Sequence, residues 1–191
     1  PSDQGQYVNS FLNNAVCLGD VLNQFGYTNI FLGGAPLSYA GRGNFLKRHG
    51  YQEAYGLDEW RQMGESNFSE WGLYDDQLFE RAKEKIKHLE RSGTPYNITL
   101  LTVDTHFPSG FVSKTCARRG AENLRDILRC NSYLVGQFIK FFIDSGYLKN
   151  TNLVILTDHL AMPNDLTHLL EKDAQRQHVN YFLSSENFKK N

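Results

Sequence analysis

Asp158 and His159 stand side by side just after the apolar run Leu153-Val154-Ile155-Leu156. A carboxylate oxygen beside an imidazole nitrogen is a mixed donor pair suited to a divalent ion such as Zn²⁺, Mn²⁺ or Mg²⁺. Two donors do not hold an ion tightly, so a metal centre here needs further ligands. The competing reading is a capping aspartate followed by a locally packed histidine. His106 follows another apolar run and precedes Phe107-Pro108, where the proline restricts its neighbour. A histidine held there suits a phosphate oxygen or a leaving group, or serves simply as a hydrogen-bonded strand end. Arg42 lies between Gly41 and Gly43. Glycines on both sides let backbone approach a ligand while the guanidinium forks onto an anion, although a solvated arginine has the same sequence. His49, His88, His168 and His178 have no comparable setting and read as surface or packing residues, with His168 an outside candidate.

The chain has three cysteines, Cys17, Cys116 and Cys130, so at least one lacks a partner within it. Cys116 and Cys130 flank a polar, arginine-bearing loop of 13 residues. A disulfide closing that loop would contribute about 3 kcal/mol by restricting the unfolded chain, and would mark an oxidising compartment. Two reduced thiols fit the same spacing. If Cys116 and Cys130 pair, Cys17 is left over.

These residues need elements to position them. A helix is predicted from about Asn9 to Phe25, stopped by Gly26, and a strand over Thr28 to Leu32 runs into Gly33-Gly34. Ala40 to Gly50 reads as a glycine-rich turn and a short helix. Asp75 or Asp76 is placed to cap a helix whose apolar face is Leu78, Phe79, Ala82, Ile86 and Leu89, ending at Gly93. Tyr96 to Val103 is a buried strand by composition, Glu122 to Ser145 a helix, Leu153 to Leu156 a second buried strand, and Asn180 to Leu183 a last one. Alternation of this kind predicts an α/β fold, a mostly parallel sheet with helices on both faces. In such sheets ligands bind outside the carboxyl ends of strands. Gly33-Gly34, Asp104-Thr105-His106 and Thr157-Asp158-His159 all fall at those ends.

The composition is compatible with one globular core: 191 residues, 40% hydrophobic, with 13 Phe and 10 Tyr arguing against disorder. Twenty basic residues against 21 acidic ones, a net charge of −1, disfavour a nucleic-acid binder that works through bulk positive charge. No apolar run is long enough to span a bilayer, and no signal peptide stands at the N-terminus.

Five blocks carry a resemblance: Cys17-Leu18-Gly19-Asp20, Tyr39-Ala40-Gly41-Arg42, Trp71 to Asp76, Thr102 to Phe111, and Asp158-His159-Leu160-Ala161-Met162. In this order they resemble the phosphoglycerol transferase I family, in the sulfatase-like branch of the alkaline phosphatase superfamily, related to the lipoteichoic acid synthases. The resemblance implies a divalent-metal enzyme, anchored in the bacterial inner membrane by upstream transmembrane helices, with its catalytic domain facing the periplasm. It implies transfer of glycerol phosphate from the phosphatidylglycerol headgroup to a glucan acceptor through a metal-bound threonine nucleophile. By the same resemblance, Asp158 and His159 are metal ligands, His106 contacts the headgroup and Arg42 binds its phosphate.

The family's nucleophilic threonine and a glutamate ligand lie upstream of the first matched block, and the first 16 residues contain neither Thr nor Glu. Residues 1–191 therefore read as a partial catalytic domain, truncated at both ends and inactive alone, with any partner of Cys17 lying upstream. The alternatives are a lipoteichoic acid synthase-like or phosphoethanolamine transferase, or a non-catalytic module that binds the phosphoglycerol headgroup.

Overall fold

The computed structural model describes residues 12, 14–170 and 177–184. The chain divides into two compact units, Pro1–Val103 and Asp104–Asn191.

The first unit is built on a parallel sheet of three strands: β1 (Thr28–Gly33), β2 (Glu53–Tyr55) and β3 (Tyr96–Leu101), in the order β2-β1-β3. Ile30 registers with Glu53 on one side and Ile98 on the other. The central strand β1 is buried on both faces, since the consecutive residues Asn29, Ile30, Phe31 and Leu32 are all 4% exposed or less. Such a strand cannot alternate polar and apolar residues, which is why its sequence is nearly continuous in apolar character. Helices α1 (Leu18–Gln24) and α4 (Asp75–Ser92) pack on β1, while α2 (Arg42–Arg48) and α3 (Leu57–Gln62) pack on β2. Residues 9–11 and 13 of the helix predicted from Asn9 lie outside the described residues; the described helix starts at Leu18.

Helix α4 buries Leu78, Phe79, Ala82, Ile86 and Leu89, the face that helical spacing predicts. Its cap differs from expectation. Tyr74 occupies the N-cap position but its side chain does not cap the helix, and Asp75, fully buried, accepts a bond of 2.7 Å from the backbone N–H of Val103. The carboxylate thus ties the start of α4 to the residues that follow β3, a tertiary contact with more value to a buried charge than a local cap.

The second unit is organised by α5 (Lys114–Arg118) and α6 (Leu124–Asp144). Ser113 and Asn123 cap them, each side chain accepting a backbone N–H. The buried face of α6 includes Leu124, Ile127, Cys130, Leu134, Phe138 and Phe142. Cys116 and Cys130 form a disulfide with Cα atoms 5.6 Å apart, which staples α5 to α6. The last strands, β4 (Leu153–Leu156) and β5 (Asn180–Leu183), pair antiparallel with each other, and α7 (Thr167–Leu170) lies between them in sequence. β4 is half exposed, not buried: Val154 and Leu156 are 45% and 60% accessible, because a two-stranded ribbon covers less of a strand than a sheet interior does. No helix among the described residues is long and apolar enough to cross a membrane.

Candidate functional site

In the first unit, the parallel register places the carboxyl ends of β1, β2 and β3 at one edge of the sheet. The chain leaving β1 reaches a corner where Ala40 (φ 52°) and Gly41 (φ 70°) are both left-handed. Left-handed backbone at an alanine costs on the order of 1 kcal/mol or more, so the surrounding structure holds it in place. Arg42 emerges from this corner at the start of α2. Its guanidinium sits over the ring of Phe31, 5.6 Å from the centroid, and 5.8 Å from that of Tyr39. Tyr39 in turn meets Trp71 edge to face. Nη1 of Arg42 is buried without a hydrogen-bond partner, and burial pushes the pKa of the group below its ordinary value. A buried N–H donor on a cation that lacks an acceptor costs free energy until an anion supplies one. The two neighbouring glycines act within the fold: Gly41 adopts the left-handed turn, and Gly43 fits closely against Leu37, where a Cβ would come within 3.2 Å of the Leu37 Cβ.

In the second unit, His106 lies on a turn closed by two backbone bonds, Gly110 N–H to His106 O and Phe111 N–H to Asp104 O. A cis peptide links Phe107 and Pro108. The imidazole stacks on Phe107, and its Nδ1 lies 2.8 Å from the Phe107 carbonyl oxygen. A carbonyl only accepts, so the ring proton of the neutral imidazole resides on Nδ1. The Pro108 carbonyl accepts from the N–H of Asp165, which brings this turn beside the segment that follows Asp158 and His159.

Asp158 and His159 follow β4 and are both exposed. His159 Nδ1 donates to the Leu160 carbonyl at 2.8 Å, which fixes the lone pair on Nε2. That Nε2 lies 3.4 Å from Asp158 Oδ2. Two N or O donors sharing an ion at bonds of about 2.1 Å sit roughly 3–3.4 Å apart, so the pair fits a single divalent cation as half of its coordination shell. The backbone carbonyl on Nδ1 is the orienting partner that ligating histidines commonly have. No third His, Cys, Asp or Glu among the described residues joins this pair in a cluster.

Two histidines read from sequence as surface or packing residues have tertiary partners that spacing does not show. His178 Nδ1 lies 3.0 Å from Thr157 Oγ1, next to Asp158 in sequence, and the pairing of β5 with β4 that places it there crosses 21 residues. His49 is buried and bonds Asp20 through Nδ1 at 2.8 Å. His168 lies on α7.

A family model described as sulfatase matches residues 2–191. Over 184 residues the chain is 39% identical to a phosphoglycerol transferase I of Xanthomonas campestris pv. campestris, covering 92% of this chain and 26% of that protein. Over 173 residues it is 39% identical to a phosphoglycerol transferase I of Citrobacter koseri, covering 86% and 23% respectively. The chain therefore spans about a quarter of the length of these relatives. Among solved structures, the lipoteichoic acid synthase LtaP of Listeria monocytogenes superposes with a TM-score of 0.64 at 16% identity, over 85% of this chain and 45% of that one. A Vibrio parahaemolyticus protein of the alkaline phosphatase superfamily gives 0.59 at 20%, over 74% and 35%. At these identities the structural likeness bears on the fold alone.

Proposed function

The chain belongs to the sulfatase family, and from that premise we propose that it is the headgroup-binding part, with half of the metal site, of a phosphoglycerol transferase. The reaction is transfer of glycerol phosphate from phosphatidylglycerol to a hydroxyl of a glucan. The relatives named phosphoglycerol transferase I support this reading over sulfate-ester hydrolysis. The observation that carries it is the buried Arg42 Nη1 without an acceptor, a donor that an anionic phosphoryl oxygen completes.

Arg42 binds and orients the phosphate from its aromatic seat, and its N–H groups offset negative charge as it builds on phosphorus. His106, with its proton held on Nδ1 by Phe107, exchanges a proton at Nε2 with a phosphate or glycerol oxygen. Asp158 Oδ2 and His159 Nε2 would hold a divalent ion, which when bound supplies Lewis-acid polarisation and a lowered hydroxyl pKa. The nucleophilic threonine and a glutamate ligand come from residues that precede Pro1 in a longer protein. That protein is membrane-anchored with this region facing the periplasm, a location supported by the disulfide.

The test uses the longer protein and labelled phosphatidylglycerol with a glucan acceptor. Chelator-sensitive appearance of label in the glucan is expected, with none from residues 1–191 alone. Sulfate-ester hydrolysis without glycerol phosphate transfer overturns the reading, as does turnover by residues 1–191 by themselves.

A further inference from the structure

Cys17, Asp20 and His49 offer a sulfur, an oxygen and a nitrogen that all lie within 4.8 Å of one another. None of them belongs to the residues read as metal or headgroup ligands above. We propose that they form a second cation site, a thiolate, carboxylate and imidazole set for a thiophilic divalent ion of the Zn²⁺ class.

The donors come from two segments 29 residues apart, the start of α1 and the residue following α2. Their meeting is enforced by the fold around them. Asn29, fully buried on β1, donates through Nδ2 to the carbonyls of both Gly19 and Gly50, clamping the two segments together. Gly19 lies so close to the His49 carbonyl that no Cβ fits, and a Cβ on Gly50 would lie 2.6 Å from the Gly19 carbonyl oxygen. His49 is 3% exposed and packs against the ring of Phe45, so its orientation is set before any ligand arrives. Asp20 Oδ2 already lies 2.8 Å from His49 Nδ1 and accepts the Cys17 N–H at 2.9 Å.

The chemistry of the set is specific. Mixed sulfur, nitrogen and oxygen ligands favour Zn²⁺ over Mg²⁺ or Ca²⁺, and three protein donors leave a fourth position for water. Cys17 is the free thiol, since the other two cysteines are joined to each other. On binding, the thiol proton leaves to solvent. If Nδ1 is the ligating nitrogen, the ring proton moves to Nε2 and the ion takes the place of the hydrogen bond to Asp20.

Because the disulfide removes Cys116 and Cys130, a thiolate-to-metal signal reports on Cys17 alone. Co²⁺ titrated into the chain without reductant is expected to give a saturable near-ultraviolet charge-transfer band at one equivalent. Cys17→Ser, at a partly exposed position, should abolish the band with the circular dichroism unchanged. Zn²⁺ should slow labelling of Cys17 in the unmodified protein at least 10-fold, a readout that needs no variant. A charge-transfer band that survives Cys17→Ser, or a wild-type protein with one titratable thiol that shows neither band nor protection, overturns the proposal. Neither result depends on transferase activity, so this site and the reading of Arg42, His106, Asp158 and His159 stand or fall separately.

Discussion

Nε2 of His159 lies 3.4 Å from Oδ2 of Asp158 while Nδ1 of the same ring donates to the Leu160 carbonyl. The backbone thereby selects the tautomer whose lone pair faces the carboxylate. Both side chains are more than half exposed, so neither contributes much to folding. On the proposed metal role of this pair, Asp158→Asn and His159→Gln in the longer protein are expected to reduce transfer on the order of 100-fold or more. Thermal stability should be nearly unchanged, and added divalent metal should partly restore the rate. A melting temperature that falls along with activity would identify a structural role instead.

Arg42 presents the opposite balance. Its guanidinium sits over the rings of Phe31 and Tyr39, yet Nη1 is buried without an acceptor. Arg42→Met keeps the packing volume, loses two cation–π contacts and removes a desolvated charge, opposing effects that should leave folding stability within about 1 kcal/mol. Affinity for glycerol phosphate should fall roughly 10- to 100-fold, the value of a charge-assisted hydrogen bond. Calorimetric titration of the chain with glycerol phosphate, beside urea unfolding, separates the two effects. Equal affinity in both proteins would remove Arg42 from the site.

Much of this arrangement was legible in the sequence because the elements concerned are long or periodic. Helix α4 repeats its apolar residues over 18 positions and buries the predicted face; α6 runs over 21 and buries Leu124, Leu134, Phe138 and Phe142 at helical spacing, with Ile127 rather than the exposed Leu128 turned inward. The strands β1 and β3 were marked by continuous apolar or β-branched residues, although β3 is only partly buried along its length where composition predicted a buried strand, and their polar ends pointed to His106 and the Gly33-Gly34 turn. The three residues of β2 carry too little pattern to be read, and α3 and α5, at six and five residues, span fewer than two turns. Pairing direction was also hidden: nothing in Asn180 to Leu183 says that it runs antiparallel to β4. The tertiary partners of Asp75 and His49 were hidden for a shared reason. Those partners, Val103 and Asp20, lie 28 and 29 residues away, and sequence spacing reports only on neighbours within an element.

The disulfide between Cys116 and Cys130 closes a loop whose ends are 14 residues apart. Reduction, or a Cys116→Ala/Cys130→Ala double variant, is expected to lower unfolding free energy by about 3 kcal/mol. Thiol titration of denatured, unreduced protein should find one thiol, rising to three after reduction. Three thiols before reduction would remove the bond and with it the argument for an oxidising compartment.

Asn29 makes three side-chain bonds from a fully buried position, Nδ2 to Gly19 and Gly50 and Oδ1 from Asn97, while its backbone N–H donates to the Gln52 side chain and its carbonyl accepts from the Gln52 N–H. Asn29→Leu is nearly isosteric but strands the buried Gly19 carbonyl and the partly buried Gly50 carbonyl. A loss of about 2–4 kcal/mol is expected in urea unfolding, with Asn29→Asp intermediate because one donor disappears. A loss below about 1 kcal/mol would mean that the clamp between the α1 start and the Gly50 turn is held elsewhere.

Asp20 sets the acid limit of the same region. The Cys17 N–H, and after it His49, hold its carboxyl below the ordinary aspartate pKa. A carboxylate whose folded pKa is depressed adds stability above its unfolded pKa, near 3.9, and that contribution disappears as pH falls through the lower folded value. The wild-type urea midpoint should therefore drop more steeply below about pH 4 than that of Asp20→Asn, whose side chain does not titrate. At neutral pH the wild type should be the more stable, and the two curves should converge in acid. Parallel curves would show that the bonds to Cys17 and His49 carry no differential proton affinity between the folded and unfolded chain.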